Sequence, residues 1–402
     1  MLWVPRFAQR PELFLSLLAA AAAIGFSAWR ALLNNYAVDD AGFSGADIGT
    51  LQSIREIPGL LAFCVVYLLL LWREQRLAWV SVAVLGIGTA LTGLDRSALS
   101  LYATTFVMSV GFHIYETLQG SLALQWFPRG QAPVMLGRII AVSSIASVLT
   151  YGLIWAAVEM IDPPLPWLYL TFGAIAAALA LLGAAFRPFP QPVPQRRRLV
   201  LRRSYGLYYA LTFLSGARRQ IFVVFAGFML VERFGFDVAA MSLLFLITTA
   251  ASAYLAPLAG RFINAFGERR ALQLEYGGLI AVFVGYALVH DSRVAVGLYV
   301  LDHVFYALAM SIKTYFQKIA DPADIAPTAG VAFTINHIAA VVIPVGFGLL
   351  WTTAPAAVFW SGAGMAAVSL VLACAVPRHP MRGAEFAMVG VRSRRATTSP
   401  DA

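Results

Sequence analysis

The sequence predicts an all-α membrane protein of twelve transmembrane helices in two six-helix halves, with both termini cytoplasmic. Three observations carry this expectation: an extreme composition, a train of long apolar segments, and a lopsided distribution of basic residues. Of 402 residues, 60% are apolar and 12% charged, and mean hydropathy is +0.75. Soluble domains hold about 45–50% apolar residues, glycine included, and about 25% charged ones. A globule of this size has no interior able to hide the excess, which leaves almost no room for a water-soluble enzyme. Disorder is excluded because it needs low hydrophobicity and high charge.

A helix crosses the hydrocarbon core in about 20 residues. Twelve segments meet that requirement: 13–35, 47–71, 77–94, 98–123, 133–158, 166–186, 205–231, 238–258, 270–289, 294–317, 326–350 and 356–376. Strands are ruled out because period-two alternation is absent and the runs are too long. The first run follows Arg6 and Arg10 as a secretory leader would, but it continues to Leu33, too long for a cleavable core. It is expected to stay as the first helix.

With the N-terminus inside, 22 of the Lys and Arg residues fall on the cytoplasmic side, and only Arg96, Arg233 and Arg293 fall outside. That is the positive-inside pattern. The pI of 9.8 then follows from topology, and nucleic-acid binding loses its main support. Cys64 and Cys374 sit in apolar runs without partner spacing and read as small buried hydrophobes. No CxxC, HExxH, phosphate-binding loop or dinucleotide turn occurs, so no cofactor, metal or enzymatic chemistry is expected. Lys313 and Lys318 are the only lysines; this bias toward arginine suggests a GC-rich bacterial genome, and hence a multi-pass inner-membrane protein.

The longest polar break, RPFPQPVPQRRRLVLRRS, divides the chain. Residues 1–186 form the first half and 187–204 a basic cytoplasmic linker that proline stiffens and arginine holds at the membrane surface. Residues 205–377 form the second half, and 378–402 a polar tail expected to be disordered. GFSGADIGTL at Gly42 has a counterpart in GFDVAAMSLL at Gly235, and WREQRLAWV at Trp72 in FGERRALQL at Phe266. Their common offset, close to half the chain, points to duplication.

One loop motif completes the pattern. Gly260-Arg-Phe-Ile-Asn264-Ala-Phe-Gly267-Glu-Arg269-Arg270 follows G-x-x-x-D-x-x-G-R-[RK], with Asn264 in place of the acid and Glu268 where a basic residue is usual. The matching loop of the first half, Tyr67 to Arg76, keeps only the basic character. With its 6+6 layout and basic central loop, the chain resembles the major facilitator superfamily of secondary transporters. The resemblance implies alternating access, and a cytoplasmic latch at Gly260, Asn264, Gly267, Arg269 and Arg270. There a charge-assisted hydrogen bond near a helix terminus would hold the basic residues. The competing reading is a tight turn in which the two glycines permit close helix approach.

Ionisable residues at bilayer depth are costly and by default functional. A rise of about 1.5 Å per residue puts Arg218, Arg219, Asp302, His303, His113 and His337 near the midplane. Arg30, Arg55 and Glu56 come out toward the exterior, Glu116 slightly toward the interior, and Glu275 near the inner surface as a structural group. The resemblance implies that the first, fourth, seventh and tenth helices line the cavity, and all four carry such residues. Spacing places Ser109, His113, Glu116 and Gly120 on one stripe and Ser27, Arg30 and Asn34 on another.

Arg30, Asn34, His113, Arg218, Arg219, His303 and His337 are therefore substrate-binding candidates, the arginines as planar forks for a carboxylate, phosphate or sulfonate. Glu116, Asp302 and Glu56 are proton-coupling candidates, since a carboxylate beside histidine in a dry pocket can exchange a proton. The competing reading pairs the arginines with the acids as gates between the halves. The expected function is transport of a small polar, anionic organic solute, with protons as the candidate coupling ion and no nucleotide energy. The alternatives are a proton-driven exporter of amphipathic drugs and, in another class, a non-transporting sensor or assembly protein. Membrane lipid and solute are the expected partners of a monomer. The aromatics Phe26, Trp29, Phe222, Tyr306 and Tyr315 read as packing, and Trp3, Trp72, Trp126 and Trp351 as interfacial anchors.

Overall fold

A computed structural model describes residues 10–127, 132–189, 201–321 and 324–386. The described chain is almost wholly helical. In order it forms α1 (Pro11–Asn35), α2 (Gly45–Leu60), α3 (Val65–Leu71), α4 (Glu74–Thr92), α5 (Ala98–Trp126), α6 (Ala132–Ile161) and α7 (Leu165–Leu181). The second half holds α8 (Gly206–Gln220), α9 (Gly227–Glu232), α10 (Val238–Phe266), α11 (Glu268–Leu288), α12 (Ser292–Tyr306), α13 (Met310–Ile319), α14 (Ile325–Thr353) and α15 (Pro355–Cys374). Among the described residues, eleven helical stretches are long and apolar enough to cross a membrane. The exception is α2–α3, expected as one span over 47–71. It breaks at Leu61–Cys64, where a single 3₁₀ turn follows Pro58; that proline supplies no N–H to the helical ladder.

The end of the bundle that carries Pro11, Leu71, Glu268 and Ile319 is termed the lower face, and the end that carries Asp40, Gly45, Ser292 and Thr353 the upper face. Four helices that start at the upper face are capped by side chains. Ser44 accepts from Asp47 N–H in a reciprocal capping box, Ser97 from Ser100, Asp237 from Ala240, and Asp291 from Arg293 and Val294. Such caps satisfy amides that a helix start leaves free. The duplication is visible in backbone form. Gly42 and Gly235 both take left-handed φ values, +68° and +66°, two residues before the caps Ser44 and Asp237. A side chain there would be strained, so glycine recurs.

The two halves meet in the upper part of the molecule. Along α2 and α14 a Cβ on Gly49 would stand 2.2 Å from the Pro344 carbonyl oxygen and 2.9 Å from the Gly348 Cα. Gly45 lies against Trp351, and Ser53 Oγ accepts from Val345 N–H at 3.0 Å. Asn35 donates to the Phe236 carbonyl at 2.7 Å, and Tyr151 of α6 meets Phe245 of α10. In the lower part Gly120, Gly137 and Gly260 have nothing within 4 Å of a notional Cβ. Gly49→Val should therefore open the upper seam; overpacking of this kind costs about 1–3 kcal/mol. The check is a fall in melting temperature together with faster labelling of a cysteine placed on the upper half of α14. Unchanged labelling would contradict the seam.

Two local expectations change. Trp351 is no interfacial anchor: it is 2% exposed, its indole N–H donates to Glu232 at 2.8 Å, and its ring stacks on Phe225. The first residues of the tail, up to 386, are held to the second half, where Arg382 pairs with Asp321 and the Tyr315 hydroxyl donates to the Glu385 carbonyl at 2.6 Å. Trp3, most of the linker and residues 387–402 lie outside the described residues.

Candidate functional site

Between the upper seam and the lower face, the two halves bring charged side chains within electrostatic reach of one another. Arg219 of α8, Glu116 of α5 and Lys313 of α13 are all solvent-exposed, although Arg219 lies about 20 Å along its helix from the lower end at 1.5 Å per residue. Glu116 is nevertheless within electrostatic reach of Arg219, Lys313 and His337 from the other half. Groups exposed and yet facing one another across the two halves line a cavity. Arg219 lies over the Tyr306 ring at 5.7 Å, and the rim above carries His303, whose ring meets Phe222 at 5.0 Å and Tyr299 at 5.1 Å. Arg30 closes the space from above. It stacks on Phe245 at 4.6 Å and lies against Tyr151 and Tyr299, so it joins the two halves through rings and not through an acid.

The adjacent arginines of α8 part company. Arg218 is 2% exposed, lies 3.7 Å from Glu275 Oε1 and stacks on Tyr276 at 4.4 Å. Asp302, also 2% exposed, is turned toward this pair from α12. Two carboxylates thus share one guanidinium inside the second half, away from the cavity. Neighbours on a helix are about 100° apart, and that angle separates the two roles.

A second cluster bridges the halves. Glu56, expected nearer one end, lies level with the midplane histidines. Its Oε2 is 3.8 Å from His113 Nε2 and 3.6 Å from His337 Nε2, while its other oxygen pairs with Arg55. The rings of His113 and His337 are 5.2 Å apart. Each ring places Nδ1 on the carbonyl one turn back, at Ser109 (3.0 Å) and Phe333 (2.8 Å), and His113 Nδ1 also meets the Ser109 hydroxyl at 2.9 Å. Gly59 makes room for both: a Cβ there would stand 2.2 Å from the His337 ring and 2.7 Å from the His113 ring. Asn34 belongs to neither group, being buried in the upper seam beside Gly227.

The latch residues are not drawn to the other half. Asn264 and Arg270 are exposed, and among the described residues no neighbour comes within 4 Å of a notional Cβ on Gly260, so no close helix packing is seen there. Gly267 takes φ +82° in the turn into α11, which favours glycine. Glu268, the residue out of keeping with the motif, is 1% exposed and pairs with Lys318 at 2.6 Å. Reasoning from the sequence missed Lys313, which it counted among loop charges, and the engagement of Glu275 with Arg218. Lys313 follows Tyr306 by seven residues, about two turns, and that spacing is the signal that points to it.

Apolar helices packed as two halves around a polar, charged cavity define a membrane transporter. The sequence matches the profile of the Major Facilitator Superfamily over residues 15–344, and the chain belongs to that family. Its structure is similar to that of the nucleoside transporter NupG, with TM-score 0.74 and 15% identity over 91% of this chain and 99% of that one. It is also similar to a bacterial homologue of the human lysosomal transporter Spinster in an inward-facing and occupied conformation, with TM-score 0.68 and 14% identity over 90% and 94%. At these identities the likeness is one of fold. No curated protein sequence matches the chain.

Proposed function

We propose that the protein is a secondary active transporter of a small anionic organic solute, working by alternating access of residues 1–186 and 205–377. The broken α2–α3 segment serves as a twelfth span. By the bias of basic residues, the lower face is cytoplasmic, and the arrangement described is then inward-open. The observation that carries the reading is the exposed set among the described residues: Arg219 and Lys313 against the acid Glu116. The surplus positive charge attracts an anion, and Arg219 offers it a planar fork. Melting curves of purified protein against organic anions, nucleosides, sugars and amphipathic cations test this. Organic anions should raise the melting temperature of the wild type and not of Arg219→Ala; stabilisation by amphipathic cations alone would overturn the reading.

Proton coupling is supported by the Arg218, Glu275 and Asp302 group. Two buried acids facing one guanidinium leave a surplus negative charge, which a proton relieves at less cost than a bare carboxylate in a dry interior. Glu116 in the cavity is the second carrier. Asp302→Asn and Glu116→Gln should both fold, and one of them should lose uptake against a gradient while keeping solute exchange. Accumulation at wild-type level by both, in acid and in alkaline medium alike, refutes the assignment.

A further inference from the structure

The Glu56, His113 and His337 cluster contains an arrangement that neither solute binding nor the buried acids explain. With Nδ1–H of each imidazole donated to a backbone carbonyl, Nε2 of each ring is left to face the same carboxylate oxygen. The separations, 3.6 and 3.8 Å, are longer than a hydrogen bond, so the three donor atoms are gathered in one place without bonding one another directly. All three donor atoms lie within 4.8 Å of one another, and all three residues are buried. A tetrahedral zinc ion with bonds of about 2.0–2.2 Å sets its ligand atoms about 3.4 Å apart, close to the spacing here. Donation of Nδ1–H to a carbonyl is also how metal-binding imidazoles are fixed in tautomer and orientation, and a ligating carboxylate is held in turn by its other oxygen. Here Arg55 holds that oxygen, and Gly59 provides the room where the two rings converge.

We propose that Glu56, His113 and His337 bind a divalent transition-metal ion of the zinc class, with a fourth coordination position left open. Two ligands come from the first half and His337 from the second, so the bound ion clasps the halves and holds the upper face closed. That conformational consequence rests on the alternating-access reading; the metal site itself does not. The Arg55 guanidinium beside the ion weakens the site, which makes it a reversible brake and not a permanent structural metal.

The test uses the full chain in lipid nanodiscs and Co²⁺ as a spectroscopic stand-in. Co²⁺ should produce the visible absorption of a four-coordinate site, saturating at one ion per chain and displaced by Zn²⁺. His113→Ala and His337→Ala should each weaken Co²⁺ binding at least about 100-fold; Glu56→Gln, which keeps the volume, should do the same. The metal-free melting curve of each variant separates loss of ligation from loss of fold. With Cys64 and Cys374 replaced by serine, spin labels at the lower ends of α5 and α13 should report a single wide distance in Zn²⁺ and a broader distribution after chelation. Absence of the Co²⁺ bands, or bands that persist unchanged in all three variants, overturns the site. So does stabilisation by acid alone without any Zn²⁺ response, which assigns the cluster to a proton. A label distribution indifferent to Zn²⁺ overturns the clasp. A protein that binds Co²⁺ but transports no tested solute leaves the metal site standing and counts against the transport reading only.

Discussion

Replacing Arg218 by alanine is expected to destabilise the second half by about 3–5 kcal/mol, the usual cost of removing one partner from a buried ion pair. Among the described residues the guanidinium is the only basic group facing Glu275, whose side chain is fully buried, and Asp302 leans on it as well. Its departure strands two acids and removes the cation over Tyr276. Thermal unfolding in detergent measures the loss. Arg218→Met combined with Glu275→Gln and Asp302→Asn should recover most of it, because removing the charge together with both counter-charges leaves no uncompensated ion. A single alanine variant as stable as wild type would show that the pair contributes nothing to the fold.

The neighbouring arginine should behave in the opposite way. Arg219→Ala is expected to leave the melting temperature nearly unchanged, since the side chain is exposed and stacks only on Tyr306. It should cost solute affinity about 100-fold: a hydrogen bond to a charged group contributes about 1.5–3 kcal/mol, and each 1.4 kcal/mol is tenfold. Arg219→Lys should lose about tenfold, because an ammonium keeps the charge but not the bidentate fork. Equilibrium binding of the anion that gives the largest thermal shift, measured for both variants, checks this. If Arg219→Lys binds as tightly as wild type, the contact is one of simple charge. Equal affinity in Arg219→Ala removes Arg219 from the site.

Much of this architecture was legible in the sequence, because hydrocarbon imposes its own arithmetic on a chain. Long apolar runs give the helices, and the GF-S/D repeat at Gly42 and Gly235 gives the duplicated turn ahead of each capped helix. What escaped was lateral and rotational information. Periodicity places Arg218 and Arg219 at the same depth but cannot say which turns inward, because that depends on Glu275 of another helix. A linear rise put Glu56 too near one end, since the helix that carries it breaks after Pro58 and its packing against α14 sets its height. Glu268 looked like a defect in a motif; its meaning lay in Lys318, fifty residues away in sequence and reached only through the fold.

The seam along α2 and α14 joins backbone to backbone at Gly49, Pro344 and Gly348, with one hydroxyl bond and, among the described residues, no charged pair until Glu56 and His337 lower down. Ionic strength acts on charges and hardly touches a dry contact of this kind. Parting the seam means losing many small dispersion contacts together and letting lipid or water into the gap. The rate of that step should depend steeply on temperature and on bilayer lateral pressure, and scarcely on external salt. A turnover rate measured with chelator present, in thick and thin bilayers and at low and high salt, would then register the membrane and not the ionic strength.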